Sequence, residues 1–365
     1  MQITFPAMRA KMGGREYYST LMSLSEIPRF FKFSDWDEFT PELRAQRVLN
    51  ESRIPEIAHY ISEHEDDYLF SSITCSYTSD LKFESYSNDN PDIGNISLEL
   101  EQMEFVINDG QHRCAAIAQA IKDNPTVATD KISVLLFPME NMERMQQMFS
   151  DLNRFAQRTP RSLNILYDHR DNLANISKNL AEKIDVFRGM IDFEKPSLQS
   201  NSHKLFTLTS LYEANKEFEK RISIKNEDYK EEELETILEE YWKEVSDRIP
   251  DWKKVKAGKI PAKAIRQEKI NSHAIVLRAL GAVGGILLRV YKEEWREKIA
   301  LIQEIDWRKS IGTKVNPAWD GICITAGSVV SNIQARNALF VTFCEMLDIE
   351  SKATKKTSKS SRSIK

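Results

Sequence analysis

The chain has 365 residues, of which 41% are apolar and 29% charged, and its formal net charge is −4. That is enough globular chain for one large core or two modest ones, and it lacks the bulk positive charge common among nucleic-acid binders. No apolar run nears the ~18 residues of a membrane span and no signal-peptide pattern opens the chain, so a cytoplasmic protein with no membrane partner is expected.

The first hundred residues are mixed. Tyr68 to Thr78 is rich in aromatic and β-branched residues and reads as a strand. Asn88 to Gly94 reads as a turn or loop, and Ile96 to Met103 and Glu104 to Asn108 as a hairpin arm and a following strand. Next comes the most informative stretch, FVINDGQHRCAAIAQAI, at 105–121. A β-prone run meets Asn108-Asp109-Gly110. A helix follows whose Cys114, Ile117, Ala118 and Ile121 recur at i, i+3, i+4 and i+7. Gln111, His112 and Arg113 thus fall on the first turn of a helix fed directly by a strand, where backbone N–H groups and the helix dipole favour anions.

Two readings fit this turn. In one, Gly110, Gln111, His112 and Arg113 hold a phosphate: Arg113 offers a bidentate fork, His112 donates or moves a proton, and Asp109 can meet a metal held by a nucleotide. In the other, Asp109 caps the helix and His112 and Arg113 face solvent.

Lys131 to Phe137 reads as a short buried strand ended by Pro138, after which the pattern turns helical. Helices are expected over Glu140–Leu152, Asn172–Gly189, Leu208–Arg221, Tyr229–Arg248, Lys269–Lys292 and Val329–Leu347. Gly281, Gly284 and Gly285 cost the fifth of these ~1 kcal/mol each relative to alanine, which requires either a backbone packed closely against them or a break. Trp295, Trp307 and Trp319 read as core or, with that helix, as a docking face. The four cysteines, Cys75, Cys114, Cys323 and Cys344, lie far apart with no CxxC pair and read as buried free thiols. The expected organisation is an α/β module over 1–190, a helical module over 191–350 and a disordered basic tail over 351–365.

Further candidate residues are charged. Asn153 can end the helix before it, and Arg154, Arg158 and Arg161 follow closely, as phosphate ligands or as solvated loop charges. Tyr167-Asp168-His169-Arg170-Asp171 reads slightly better as a buried ion-pair hub than as a catalytic group. Arg44, Arg47 and Arg53 flank a helix expected over Arg53–Ser62, with Arg53 the one expected near a phosphate. Lys253 to Lys269 holds seven cations against one acid, Glu268, whereas Glu227 to Glu240 holds eight acids. The last fourteen residues carry Lys352, Lys355, Lys356, Lys359, Arg362 and Lys365 and no acid. Such segregation permits a positive face on an acidic protein. Lys253, Lys254, Lys256, Lys259, Lys263 and Arg266 are expected on a loop interrupted by Gly258 and Pro261, either tracking a DNA backbone or balancing the acidic helix. Metal-binding and nucleophile motifs such as HExxH, GxSxG or a Walker A sequence are missing.

DGQHR followed by a small-residue helix resembles the motif of the DGQHR-domain proteins, and those resemble the ParB/sulfiredoxin-like fold. Phe5-Pro6-Ala7, Gly13-Gly14-Arg15-Glu16-Tyr17-Tyr18, residues 41–47, Arg53-Ile54-Pro55-Glu56-Ile57-Ala58, Ser162-Leu163-Asn164, Tyr167-Asp168-His169-Arg170 and Asn316-Pro317-Ala318-Trp319 are similar to the DndB family, accessory proteins of bacterial DNA phosphorothioation. The resemblance implies an α/β module of ParB/sulfiredoxin type with helices behind it. It also implies a regulator that binds double-stranded DNA at its own operon promoter and restrains sulfur insertion. Arg53, Arg113, Arg154, Arg158, Arg161 and the 253–266 segment would contact phosphates, in a homo-oligomer that also meets other DNA sulfur modification proteins.

The fold family carries an enzymatic alternative, a nucleotide triphosphatase or DNA-nicking enzyme. There Asp109 and His112 would be catalytic, Gly110, Gln111, His112, Arg113, Asn153 and Arg154 would hold the nucleotide, and ATP or CTP with Mg²⁺ would be the cofactor. A second alternative is a scaffold of the modification complex. Sulfiredoxins carry a catalytic cysteine between the glycine and the histidine. Gln111 stands there in this chain, so sulfinic-acid reduction is not expected.

Overall fold

Gly13 and Gly14, both at positive φ, form the two-residue turn between β1 (Gln2–Met12) and β2 (Arg15–Ser23). Left-handed backbone at both positions matches the twist of a tight hairpin, and glycine adopts it without a steric penalty. The strands alternate: Phe5, Ala7, Tyr18 and Met22 are buried, while Met8 and Leu21 are exposed. The computed structural model of the chain describes residues 2–31, 50–78, 81–99, 104–154, 159–223 and 229–350. The basic tail, Arg44, Arg47 and Arg158 lie outside the described residues.

Following the hairpin are α1 (Ile27–Phe30), α2 (Ile54–Glu63), β3 (Ile73–Tyr77), β4 (Lys82–Ser85), β5 (Ile93–Glu99), β6 (Phe105–Asp109), α3 (Gln111–Asp123), β7 (Lys131–Pro138) and α4 (Met142–Arg154). The strands form one sheet in the order β4-β5-β1-β2-β7-β3-β6. Within this sheet, among the described residues, only β3 and β7 pair in parallel. Ala58 and Ile61 of α2, and Cys114, Ile117 and Ala120 of α3, pack with Ile73, Cys75, Ile96, Val134 and Leu136 of the sheet. Of the positions expected to face the core after Gly110, Cys114 and Ile117 are buried and Ala118 and Ile121 only partly so, while Ala116 and Ala120 are buried as well.

The chain divides into two compact units, 1–157 and 158–365. Helices α5 (Arg161–Tyr167) and α6 (Asn172–Lys183) bury Ile165, Leu173, Ile176 and Leu180 in the second unit's core, so the stretch 158–190, expected with the front module, belongs to the helical one. That unit continues with α7 (Leu208–Ile222), α8 (Leu234–Arg248), α9 (Pro250–Lys256), α10 (Ala262–Glu268), α11 (Ala274–Val290), α12 (Trp295–Ala300) and α13 (Ile333–Met346). The fold is thus α/β, a mixed sheet with helices in one unit and mostly helices in the other. Among the described residues no helix is long and apolar enough to cross a membrane.

Helix α11 does not break at its glycines. A Cβ on Gly281 or Gly285 would collide with the Ala214 or Phe218 carbonyl of α7, and one on Gly284 with the Tyr241 ring. Close backbone approach is therefore the reason for these glycines. Trp295, Trp307 and Trp319 are buried, the last two stacked 6.1 Å apart with Phe343 edge-on to both. They are core, which corrects the docking face considered for them. All four cysteines are buried, and none forms a disulfide.

Candidate functional site

The DGQHR turn is built as its residues predict, β6 running through Gly110 into α3. Gly110 sits at φ +106°, and a Cβ there would press on Ile73 and on the Arg113 guanidinium, so glycine is required for conformation and for space. The helix has no side-chain cap: Asp109 does not cap it. Its carboxylate instead accepts from Arg113 Nη2 at 2.5 Å. Arg113 Nη1 donates to the Ser71 carbonyl, to Ser71 Oγ at 2.8 Å and to the Ser72 carbonyl at 2.9 Å. The guanidinium is mostly buried. Arg113 thus ties the turn to the segment entering β3, and its fork is occupied by the protein itself.

His112 Nε2 accepts the Asn50 backbone N–H at 3.0 Å, which places the ring proton on Nδ1. Asn50 also caps the 3-10 turn Glu51–Arg53, accepting from the Ser52 N–H and hydroxyl. This arrangement presents Arg53 as an exposed cation on a turn tethered to His112. Gln111 is buried. Asn108 is fully buried at the register shift between β3 and β6; its Oδ1 accepts from Ser76 Oγ at 2.9 Å, while its Nδ2 has no partner among the described residues. Burial pushes the Cys114 thiol up to about 12, with Arg113 opposing, so no thiolate forms there near neutral pH.

Asn153 and Arg154 stand exposed on the last turn of α4, where the Asn153 amide donates to the Phe149 carbonyl at 2.8 Å. Arg161 lies in the other unit, paired with Glu213. The 167–171 segment is not a buried hub. Residues 167–170 are exposed, Asp168 accepts the Arg170 and Asp171 N–H groups, and Asp171 caps α6 while accepting from Tyr212 OH at 2.6 Å.

The basic segment is also more ordered than a loop. Pro250 opens α9, and Gly258 closes it at φ +69°, with Gly258 N–H on Val255 O and Lys259 N–H on Lys254 O, the six-to-one closure of a helix end. Pro261 precedes α10. The two prolines and the glycine therefore punctuate two short helices. Trp252, Val255, Ala262 and Ile265 are buried, and Asp251, beneath them, accepts from Lys269 at 2.8 Å and Asn271 at 2.9 Å.

Such anchoring leaves Lys253, Lys254, Lys259 and Lys263 on the exposed side. Lys253 pairs with Asp247 at 2.6 Å; the other three make no ion pair among the described residues. Lys256 and Arg266 are structural: Lys256 donates to the Arg188 carbonyl, and Arg266 to the Lys204 and Ser202 carbonyls. Sequence reasoning missed this split because lysine spacing alone does not reveal which amines meet a carbonyl.

A family model described as DndB, DNA-sulfur modification-associated, matches residues 5–350. No curated protein matches, and no solved structure does. The match takes in both the strand-to-helix turn and the basic helix pair, and it covers nearly all of the described chain: the protein belongs to the DndB family and takes part in DNA sulfur modification.

Proposed function

We propose that the protein is a DNA-binding regulator of the phosphorothioation system, restraining its own modification operon as a homo-oligomer on a repeated promoter site. The observation that carries this reading is the α9–α10 pair, with its apolar side buried and Lys254, Lys259 and Lys263 exposed without carboxylate partners among the described residues. Such an array neutralises backbone phosphates and releases counterions, while ordering the lysines in advance lowers the entropy lost on binding. Arg53 is the phosphate contact proposed at the DGQHR turn, with Arg113 as the residue that shapes it. Arg154, Arg158 and Arg161 remain proposed backbone contacts.

The test is fluorescence anisotropy with a labelled duplex from upstream of the operon, a scrambled duplex beside it, and a salt series. Binding is expected to prefer the operon sequence and to fall steeply with salt. Replacing Lys254, Lys259 and Lys263 together by alanine should make the log K against log salt slope shallower by about 2.7, from roughly 0.9 per phosphate contact. A flat wild-type salt curve, or an unchanged slope in the triple variant, refutes the proposal.

A second reading, nucleotide binding at a ParB-like DGQHR turn with ATP or CTP and Mg²⁺, is favoured by one observation. Asn108 carries a buried amide, next to Asp109, that has no partner among the described residues, and buried polar groups ordinarily have partners. Phosphate release by wild-type protein, lost in His112→Ala, would support it. Equal release by both proteins would remove it.

A further inference from the structure

A second concentration of charge in the helical unit involves neither the α9–α10 lysines nor the DGQHR turn. Between α7, α11 and α13 is a cavity of about 220 Å³ lined by Arg221, Arg278, Arg336, Asn337, Glu217 and Phe340, among others. Glu217 accepts from Arg278 Nη2 at 2.6 Å and Nε at 3.1 Å, and also from Arg221. Glu213 takes the remaining Arg278 nitrogen at 2.9 Å and pairs with Arg161 as well. Two carboxylates are therefore shared among Arg161, Arg221 and Arg278, and Arg336 adds a fourth cation beside them. Arg336, on the first turn of α13, has no carboxylate partner among the described residues; its Nε reaches only the Asn332 carbonyl, at 3.4 Å. The Arg221 guanidinium is held 4.7 Å over the Phe340 ring.

The cluster thus carries an excess of two positive charges at a partly desolvated site, where unbalanced charge is unfavourable without a counterion. We propose that this cleft binds a phosphate group, supplied by a small phosphorylated molecule or by a nucleic-acid backbone. A phosphate dianion matches the excess of two, and planar guanidinium forks suit its oxygens. The Asn337 side chain and the positive end of α13 add to the same polarity. The volume lies below the ~300 Å³ usual for drug-sized ligands, so the phosphate group enters the cleft with little of the molecule that bears it.

The experiment is isothermal titration of the full chain with inorganic phosphate at constant ionic strength in chloride, comparing wild type with Arg336→Ala. Arg336 makes no ion pair among the described residues, so its removal should leave the melting temperature unchanged, which a thermal melt checks. Saturable binding that weakens about tenfold in the variant is expected from the loss of one charge-assisted contact. No saturable binding by wild type, or equal affinity in the two proteins, overturns the proposal. Repeating the titration with duplex present assigns the source: suppression of the phosphate signal points to backbone phosphate, and persistence to a small molecule. The lysines of α9 and α10 are untouched throughout, so failure here and failure of the DNA-binding reading are separable.

Discussion

Replacing Gly281 by alanine tests the packing at the centre of the helical unit. A Cβ there would stand 2.7 Å from the Ala214 carbonyl carbon and closer to its oxygen. Carbon atoms at their van der Waals minimum are about 3.5–4.0 Å apart, so α7 and α11 must separate by roughly 1 Å. Neither side can relieve the clash by rotating a side chain, because the obstacle is main chain. A gap of that size forfeits about a quarter to a half of each dispersion well along the seam.

Overpacking costs about 1–3 kcal/mol, and the rigid contact places this case at the upper end. Alanine returns about 1 kcal/mol through helix propensity. The net loss should be about 2 kcal/mol, or about 1 M in the urea midpoint. Tryptophan fluorescence reads it well, since Trp242, Trp252, Trp295, Trp307 and Trp319 all lie in this unit. Gly258→Ala is the control: nothing lies within 4 Å of its Cβ position, so only left-handed backbone strain of about 1 kcal/mol applies. A neutral or stabilising Gly281→Ala would refute the close helix approach.

Two further outcomes follow from the geometry. Arg113→Ala should destabilise the sheet-containing unit by about 2–4 kcal/mol, since it strands the Ser71 and Ser72 carbonyls and leaves Asp109 without its ion pair; amide hydrogen exchange in β3 and β6 reads this, and unchanged protection would contradict the tethering role. Burial, helped by Lys309, pushes the His273 pKa down to about 4, while its Nε2–H donates to the Arg266 carbonyl. The folded state therefore resists protonation, and the stability this provides is present above about 6.5 and lost as pH falls toward 4. Urea titrations at pH 7 and pH 4.5 should show a loss of up to about 3 kcal/mol that is smaller in His273→Gln; an equal loss in both proteins would assign the pH dependence elsewhere.

Much of the fold was legible locally. The strand, glycine and amphipathic helix of residues 105–121 specify their own turn, and the apolar stripes of α7, α8, α11 and α13 place those helices to within a few residues. Even the glycines of α11 signalled either a close neighbour or a break, because their propensity cost demands a reason, and the structure shows the neighbour. These signals act over one or two helical turns, which is the range at which backbone preference and burial periodicity operate.

What the sequence left open depends on contacts between distant residues. Arg113 could face a phosphate or solvent on the sequence alone, and does neither once the Ser71 and Ser72 carbonyls are found beside it. Lys256 and Arg266 became structural, and Lys254, Lys259 and Lys263 became exposed, only once α9 and α10 had a buried side. The unit boundary moved ahead of α5 because Ile165 and Leu173 find their apolar partners beyond residue 190. The arginine cleft joins residues from 217 to 340 and has no local signature. Sequence periodicity determined which residues form elements and which side of each is apolar; tertiary packing alone decided which charges are occupied by the protein and which face outward, because a charged group's role depends on the partner it meets across the fold.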